Sequence, residues 1–141
     1  MRLLVETIKQ SPGAHMVVKA GAVLYAKDLA KMGMFYSQVA GLLVTHSEND
    51  HMVLESASFQ LVLVAIPEKI AANIDISSPP IRRENTPIKL VFYISSIAVA
   101  RAVALQFGGE LNPVEREWIF QEHKVCDGVD PEGNIAQFRE V

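Results

Sequence analysis

The stretch VLYAKDLAKMGMFYSQVAGLL, residues 23–43, returns as VFYISSIAVARAVALQFGGEL, residues 91–111, without a gap. A constant offset of 68 residues lays Val23 on Val91, Tyr25 on Tyr93, Leu29 on Ile97, Gly41 on Gly109 and Leu43 on Leu111. A repeated unit decides architecture before any local reading, because one unit alone leaves an apolar face uncovered. Each copy opens with a short apolar strand, passes a helix cap, carries an apolar stripe at helical spacing and stops at glycine. In the first copy the strand is residues 21–26, and Asp28 is the N-cap. Leu29, Met32, Tyr36 and Val39 make its helical face, and Gly41 ends it. In the second copy the strand is residues 88–94 and the cap Ser96. The face is Ile97, Ala100, Ala104 and Phe107, and the stop is Gly108-Gly109.

Strand-like pieces follow each helix. In the first copy they are residues 42–47, a turn at 48–50, residues 52–56, and the β-branched FQLVLVAI of 59–66. In the second they are 111–114, one stretch over 118–127, and 134–141. Each half therefore reads β-α-β-β-β. The predicted fold class is α+β: two βαβββ modules forming a curved, partly open mixed sheet around a cavity, with the helices outside. Residues 1–16 read as an N-terminal extension, with Met16 an alternative start. The first module is 17–66, the second 88–141, and all form one structural domain. Between the modules, residues 67–87 contain four prolines and read as a long, mostly extended crossover.

The segment before the last strand, Asp130-Pro131-Glu132-Gly133-Asn134, invites comparison with a calcium loop. That loop needs oxygen ligands at positions 1, 3, 5 and 12 and glycine at 6. Counted from Asp127, positions 3 and 5 are Val129 and Pro131; counted from Asp130, position 6 is Ile135. A turn fits instead, with proline where φ is near −65° and glycine where φ is positive.

With 141 residues, 50% hydrophobic and 21% charged, the chain has material for one well-filled core. The net charge is −3 and Arg82-Arg83 is the one adjacent basic pair, so neither nucleic acid nor a membrane surface is an expected partner. A single cysteine, Cys126, makes no intrachain disulfide and belongs to no zinc-ligand spacing, which points to a reducing cytoplasm. Near the N-terminus Glu6 interrupts the apolar run, leaving it too short for a secretory core or a membrane span.

The paired modules, the AKDL opening of the first helix, the FYSQVAGL that closes it and the terminal DPEGN turn together resemble the vicinal oxygen chelate superfamily. That group contains glyoxalase I, bleomycin-resistance proteins, fosfomycin-resistance thiol transferases and extradiol dioxygenases. The resemblance covers about residues 17–141. It implies a divalent metal on the inner face, held by the first and last strands of each module. Carried over by position, those ligand sites fall on Gly21, Gln60, Lys89 and Gln137. Glycine offers no side chain, lysine brings positive charge, and neutral amides are feeble ligands beside carboxylate or imidazole. A register shift of two brings in no His, Asp or Glu, so the expected protein has no metal and no cofactor.

Alternation along the strands adds Val23 and Tyr25, Val62 and Val64, Val91 and Tyr93, and Ile135 and Arg139 to the vacated face. Leu24, Leu61, Phe92 and Phe138 turn toward the helices. The predicted ligand-binding residues are Tyr25, Gln60, Val62, Lys89, Val91, Tyr93, Asp127, Gln137 and Arg139. They suit a small anionic or aromatic molecule. In fosfomycin-type relatives the position of Asp127 faces the pocket; here it could pair with Lys89, act as a base, or cap its own turn. Lys89 and Arg139 either line the cavity or reach solvent from its rim. Cys126 points away by alternation and reads as a buried thiol, a nucleophile only if His123 reaches it. His46 and His51 flank the 48–50 turn, and Trp118 with Phe120 forms a pocket wall, core or dimer contact.

These residues support a metal-free small-molecule binding protein similar to the bleomycin-resistance branch. The alternative is a lyase, isomerase or dioxygenase-type enzyme of the same superfamily, metal-independent or with unconventional ligands, with Lys89, Asp127, Tyr25 or Tyr93 as candidate acid or base. A structural subunit with a vestigial cavity is the third reading. A homodimer is expected, with the cavity within one chain or between two.

Overall fold

In a computed structural model the described residues are 19–141; the expected extension, 1–16, and Met16 lie outside them. The elements run β1 (Ala20–Ala26), α1 (Leu29–Gln38), β2 (Leu43–Ser47), β3 (His51–Glu55), β4 (Phe59–Ala65), α2 (Glu68–Ala71), β5 (Leu90–Ile94), α3 (Ile97–Gln106), β6 (Glu110–Leu111), β7 (Trp118–Phe120), β8 (His123–Val129) and β9 (Ile135–Glu140). The α+β class and the paired modules are observed, with the strands divided between two sheets. One has the order β1-β4-β3-β2, the other β5-β9-β8-β6 with β7 also on β8. In each, the first strand runs parallel to the last and the other pairs are antiparallel.

Local chemistry sets the helix boundaries. Asp28 accepts a hydrogen bond from the Lys31 amide at 3.0 Å, and Ser96 accepts one from Val99 at 3.1 Å, so both predicted caps are in place. Beyond α1 and α3, Gly41 and Gly108 take φ values of +71° and +85°, a region glycine enters without strain.

The second module departs from the expected β-α-β-β-β in one respect. Its stretch 118–127 is a hairpin, β7 and β8, turned by Gln121 and Glu122 at φ of 48° and 68°. Neither residue is the glycine or asparagine that announces such a turn. Pro113 and the 3₁₀ turn Val114–Arg116 interrupt the outer strand, so β6 and β7 share the edge of β8. The crossover is also not wholly extended, since Glu68–Ala71 coils into one helical turn.

The core lies between the helices and the sheets and is common to both halves. Phe35, Tyr36 and Phe138 are fully or almost fully buried, and each buried side chain of this size contributes about 1.5–3 kcal/mol. Aromatic rings join the modules: Tyr36 and Phe59 stand 5.5 and 5.7 Å from Phe92, which stacks on Phe138 at 5.9 Å.

The DPEGN turn ties the halves together. Gly133 has φ of +94°, as the turn reading requires. Asp130 is fully buried and accepts hydrogen bonds from the Glu132 and Asn134 amides, the Asn134 side chain and the Tyr36 hydroxyl, the last at 2.7 Å. Glu132 crosses to the first module, accepting from the Lys27 and Asp28 amides at 2.8 and 2.7 Å. These buried acids are committed to backbone, side-chain amide and hydroxyl donors.

Candidate ligand site

Side chains that leave the helix side of each strand emerge on a face that one chain leaves open. Val23, Tyr25 and Tyr93 are 59%, 63% and 55% exposed. In the first sheet this face carries Tyr25, Gln60 and Val62; in the second it carries Lys89, Val91, Tyr93, Asp127, Gln137 and Arg139. The expected residues thus fall into two sets, one on each sheet.

Those of the second sheet form one chain of contacts. Lys89 Nζ donates to Asp127 Oδ2 at 2.8 Å, and Gln137 Nε2 donates to Asp127 Oδ1 at 3.2 Å. Arg139 Nε donates to Gln137 Oε1 at 2.9 Å, and its Nη1 donates to the Tyr93 hydroxyl at 3.2 Å. The guanidinium carbon stands 4.9 Å from the Phe120 ring centre and 5.7 Å from that of Tyr93. Among the described residues Arg139 has no carboxylate partner. Period two explains the assembly: Asp127 lies opposite Gln137 across β8 and β9, and Val91 and Tyr93 lie beside Gln137 and Arg139 across β5 and β9.

The first sheet presents a different group, which the sequence reading missed. Glu55 lies opposite Gln60 and receives Lys19, Thr45 and Gln60. The Lys19 ammonium, followed by the Thr45 hydroxyl, holds the Glu55 carboxyl below its usual range. The available signal was alternation in the short third strand, which puts Glu55 on the same face as Val53.

The register also shifts one assignment. Val23 pairs with Val62 in the first module, and its repeat mate Val91 pairs with Gln137. The structural counterpart of Gln137 is therefore Val62, whereas Gln60 corresponds to Ile135. The interval between first and last strands differs in the two halves, and the single offset of 68 does not carry through to the end of the repeat.

A divalent metal does not fit the positions the superfamily pattern implies. A Cβ at Gly21 would stand 2.8 Å from the Gln60 carbonyl oxygen, so the close approach of β1 to β4 excludes a ligating side chain there without a shift. Lys89 brings positive charge and is ion-paired with Asp127. Among the described residues no three His, Cys, Asp or Glu side chains are grouped to hold a metal.

The thiol and the histidines are placed elsewhere. Cys126 is fully buried on the helix side, where Sγ donates to the Asn112 carbonyl, and burial pushes its pKa up. His123 stands on the opposite face with Nδ1 at 2.8 Å from the Glu140 carbonyl, so no Cys-His pair forms. His46 and His51 flank the hairpin turn beside Glu48 and Asp50. Trp118 and Phe120 are exposed on β7, on the same face as Arg139.

The architecture can be matched to solved structures. A glyoxalase/bleomycin resistance protein/dioxygenase family enzyme from Burkholderia phytofirmans PsJN superposes with a TM-score of 0.61 at 18% identity, covering 86% of this chain and 96% of that one. The chain has the vicinal oxygen chelate fold. A bleomycin resistance determinant encoded on the transposon Tn5 gives a TM-score of 0.56 at 14% identity over 86% of this chain and 96% of that one. A glyoxalase-related enzyme from Fulvimarina pelagi gives 0.61 at 14% identity, over 91% and 89%. No protein-family model and no curated protein matches the chain. At these identities the likeness establishes the fold, and the reaction must be argued from the site. No helix among the described residues is long and apolar enough to cross a membrane.

Proposed function

We propose that the protein binds a small anionic aromatic molecule, without a metal, on the open face of the second sheet. The observation that carries this reading is Arg139. Its guanidinium is oriented by Gln137 and Tyr93, lies near the Phe120 ring and lacks a carboxylate partner among the described residues. A guanidinium held in this way presents its remaining N–H groups to a carboxylate or sulfonate, while Phe120, Tyr93 and Trp118 offer ring faces. Asp127 is less suited to act as a base, because both its oxygens are engaged. Lys89 is held in that same pair.

The second chain of a homodimer supports the site in this reading. Apolar and aromatic side chains on both open faces need a cover, and a second copy offers the first sheet's Val23 and Tyr25 to the second sheet's Tyr93 and Phe120. The lone buried thiol accords with a reducing, cytoplasmic setting.

Calorimetric titration of metal-depleted protein with a panel of aryl carboxylates tests the proposal. Saturable binding is expected for at least one of them, and Arg139→Met should weaken it roughly tenfold or more, the cost of losing a charge-assisted hydrogen bond. Binding untouched by Arg139→Met would refute the assignment. Stoichiometric metal in freshly purified protein, with turnover lost on chelation, would replace it with the enzyme reading.

A further inference from the structure

We infer that the ligand of this face carries two oxyanions, one at each end of an extended aromatic body. The inference rests on the Arg139 reading and adds the far end of the same site. Two observations carry it: the open face of the second sheet is longer than one ring, and it ends in a second concentration of positive charge.

Arg139 lies near the end of β9, and Ile135, where that strand begins, is four residues earlier on the same face. The rise of a strand sets the two about 13 Å apart. Between them Gln137 and Val91 lie side by side across β9 and β5. Val91 and Ile135 are half-buried and apolar, a floor against which rings can lie. A single aryl carboxylate held at Arg139 and Phe120 is shorter than this span.

At Ile135 the face meets a cavity of about 210 Å3, walled by the crossover and by the 3₁₀ turn Val114–Arg116. Arg82, Arg83, Lys89 and Arg116 line it, with the carboxylates of Glu84 and Asp127. Lys89 and Asp127 neutralise each other at 2.8 Å, so the charge that faces a ligand comes from the arginines. Arg82 reaches Glu110 only at 3.7 Å, and Arg83 Nε donates to the Glu132 carbonyl, a neutral acceptor. Arg116, exposed on its turn, has no ion-pair partner among the described residues. Three guanidinium groups against one further carboxylate, Glu84, attract an oxyanion.

The Lys89–Asp127 pair joins the two ends. It belongs to the cavity lining and, through Gln137, to the chain of contacts that orients Arg139. Cavity and Arg139 contacts are therefore one continuous site with positive charge at both ends and an apolar floor between. A ligand with one anion matches half of it, and a second anion at the far end completes the match.

The test titrates the metal-depleted full chain at neutral pH with three compounds that share one rigid two-ring acid: biphenyl-4-carboxylate, biphenyl-4,4′-dicarboxylate and 4′-phosphonooxybiphenyl-4-carboxylate. At least one of the two doubly charged compounds should bind about tenfold or more tightly than the monoacid, the worth of an added charge-assisted hydrogen bond. A larger gain from the carboxylate assigns a dicarboxylate ligand, and a larger gain from the phosphate a phosphoryl one. Arg116→Met, a change on an exposed turn, should cut the gain to about threefold or less. If the monoacid binds through Arg139 and neither doubly charged compound binds more tightly, the inference is overturned and the Arg139 reading stands. No saturable binding by any of the three overturns both, and a gain that survives Arg116→Met overturns the assignment of the far end.

Discussion

Replacing Tyr36 by phenylalanine removes one hydroxyl from the centre of the molecule and should cost more at neutral than at acid pH. The hydroxyl donates to Asp130 Oδ2 at 2.7 Å, with Tyr36 1% and Asp130 0% exposed, so no solvent replaces it. A buried hydrogen bond to a charged acceptor is worth ~2 kcal/mol, and one between neutral groups ~1 kcal/mol. Burial raises the Asp130 pKa above the usual aspartate value, and the Tyr36 and Asn134 hydrogen bonds oppose that rise. An acid whose folded pKa lies above its unfolded value loses stability as pH climbs through the window between them. Without the hydroxyl the folded pKa climbs further and the window widens upward, so the variant loses more above it than below. Urea unfolding followed by far-ultraviolet circular dichroism, at one protein concentration, should give a loss of ~2 kcal/mol at pH 7.5 and ~1 kcal/mol at pH 4. In melting temperature the neutral-pH loss is about 8 °C for a chain of this size. A loss below about 0.5 kcal/mol at pH 7.5, or the same loss at both pH values, refutes the reasoning.

Three further outcomes follow from the packing. Glu132→Ala strips both acceptors from the Lys27 and Asp28 amides and should cost about 2 kcal/mol in the same unfolding assay. Gly109→Ala would press a methyl group against the Phe35 ring and the Val129 carbonyl, and overpacking of that kind costs roughly 1–3 kcal/mol by urea titration. Cys126, buried and with a raised pKa, should resist a thiol-specific disulfide reagent in native protein and react promptly in denaturant; fast native reaction would contradict its placement.

What could be read beforehand tracks where local chemistry is decisive. The helix caps at Asp28 and Ser96 and the turn at Gly133 were legible because one side chain or one glycine sets the backbone there. The Gln121-Glu122 turn was not, since nothing local marks those residues and the β7-β8 pairing imposes their conformation. Phe35 was missed as core because it lies off the Leu29-Met32-Tyr36 stripe; it is buried against Gly109 of the other module, a contact no helical periodicity contains. The superfamily resemblance carried Lys89, Asp127 and Gln137 to the open face and alternation added Arg139; the structure links them as neighbours. Glu55 and the crossover arginines escaped because they are brought in by strand order and by the return path of the crossover, not by spacing along the chain.

The two halves are alike in sequence but unequal in dependence. The helix of the second module, α3, is finished by its own half, where Glu140 receives the Ile97 amide. The amides that lead into the first helix are received by Glu132, more than a hundred residues later. On the ribosome the N-terminal half therefore emerges before the residue that completes it has been made. Helix capping has a direction: the later repeat supplies its own acceptor, and the earlier one waits for a residue of the later.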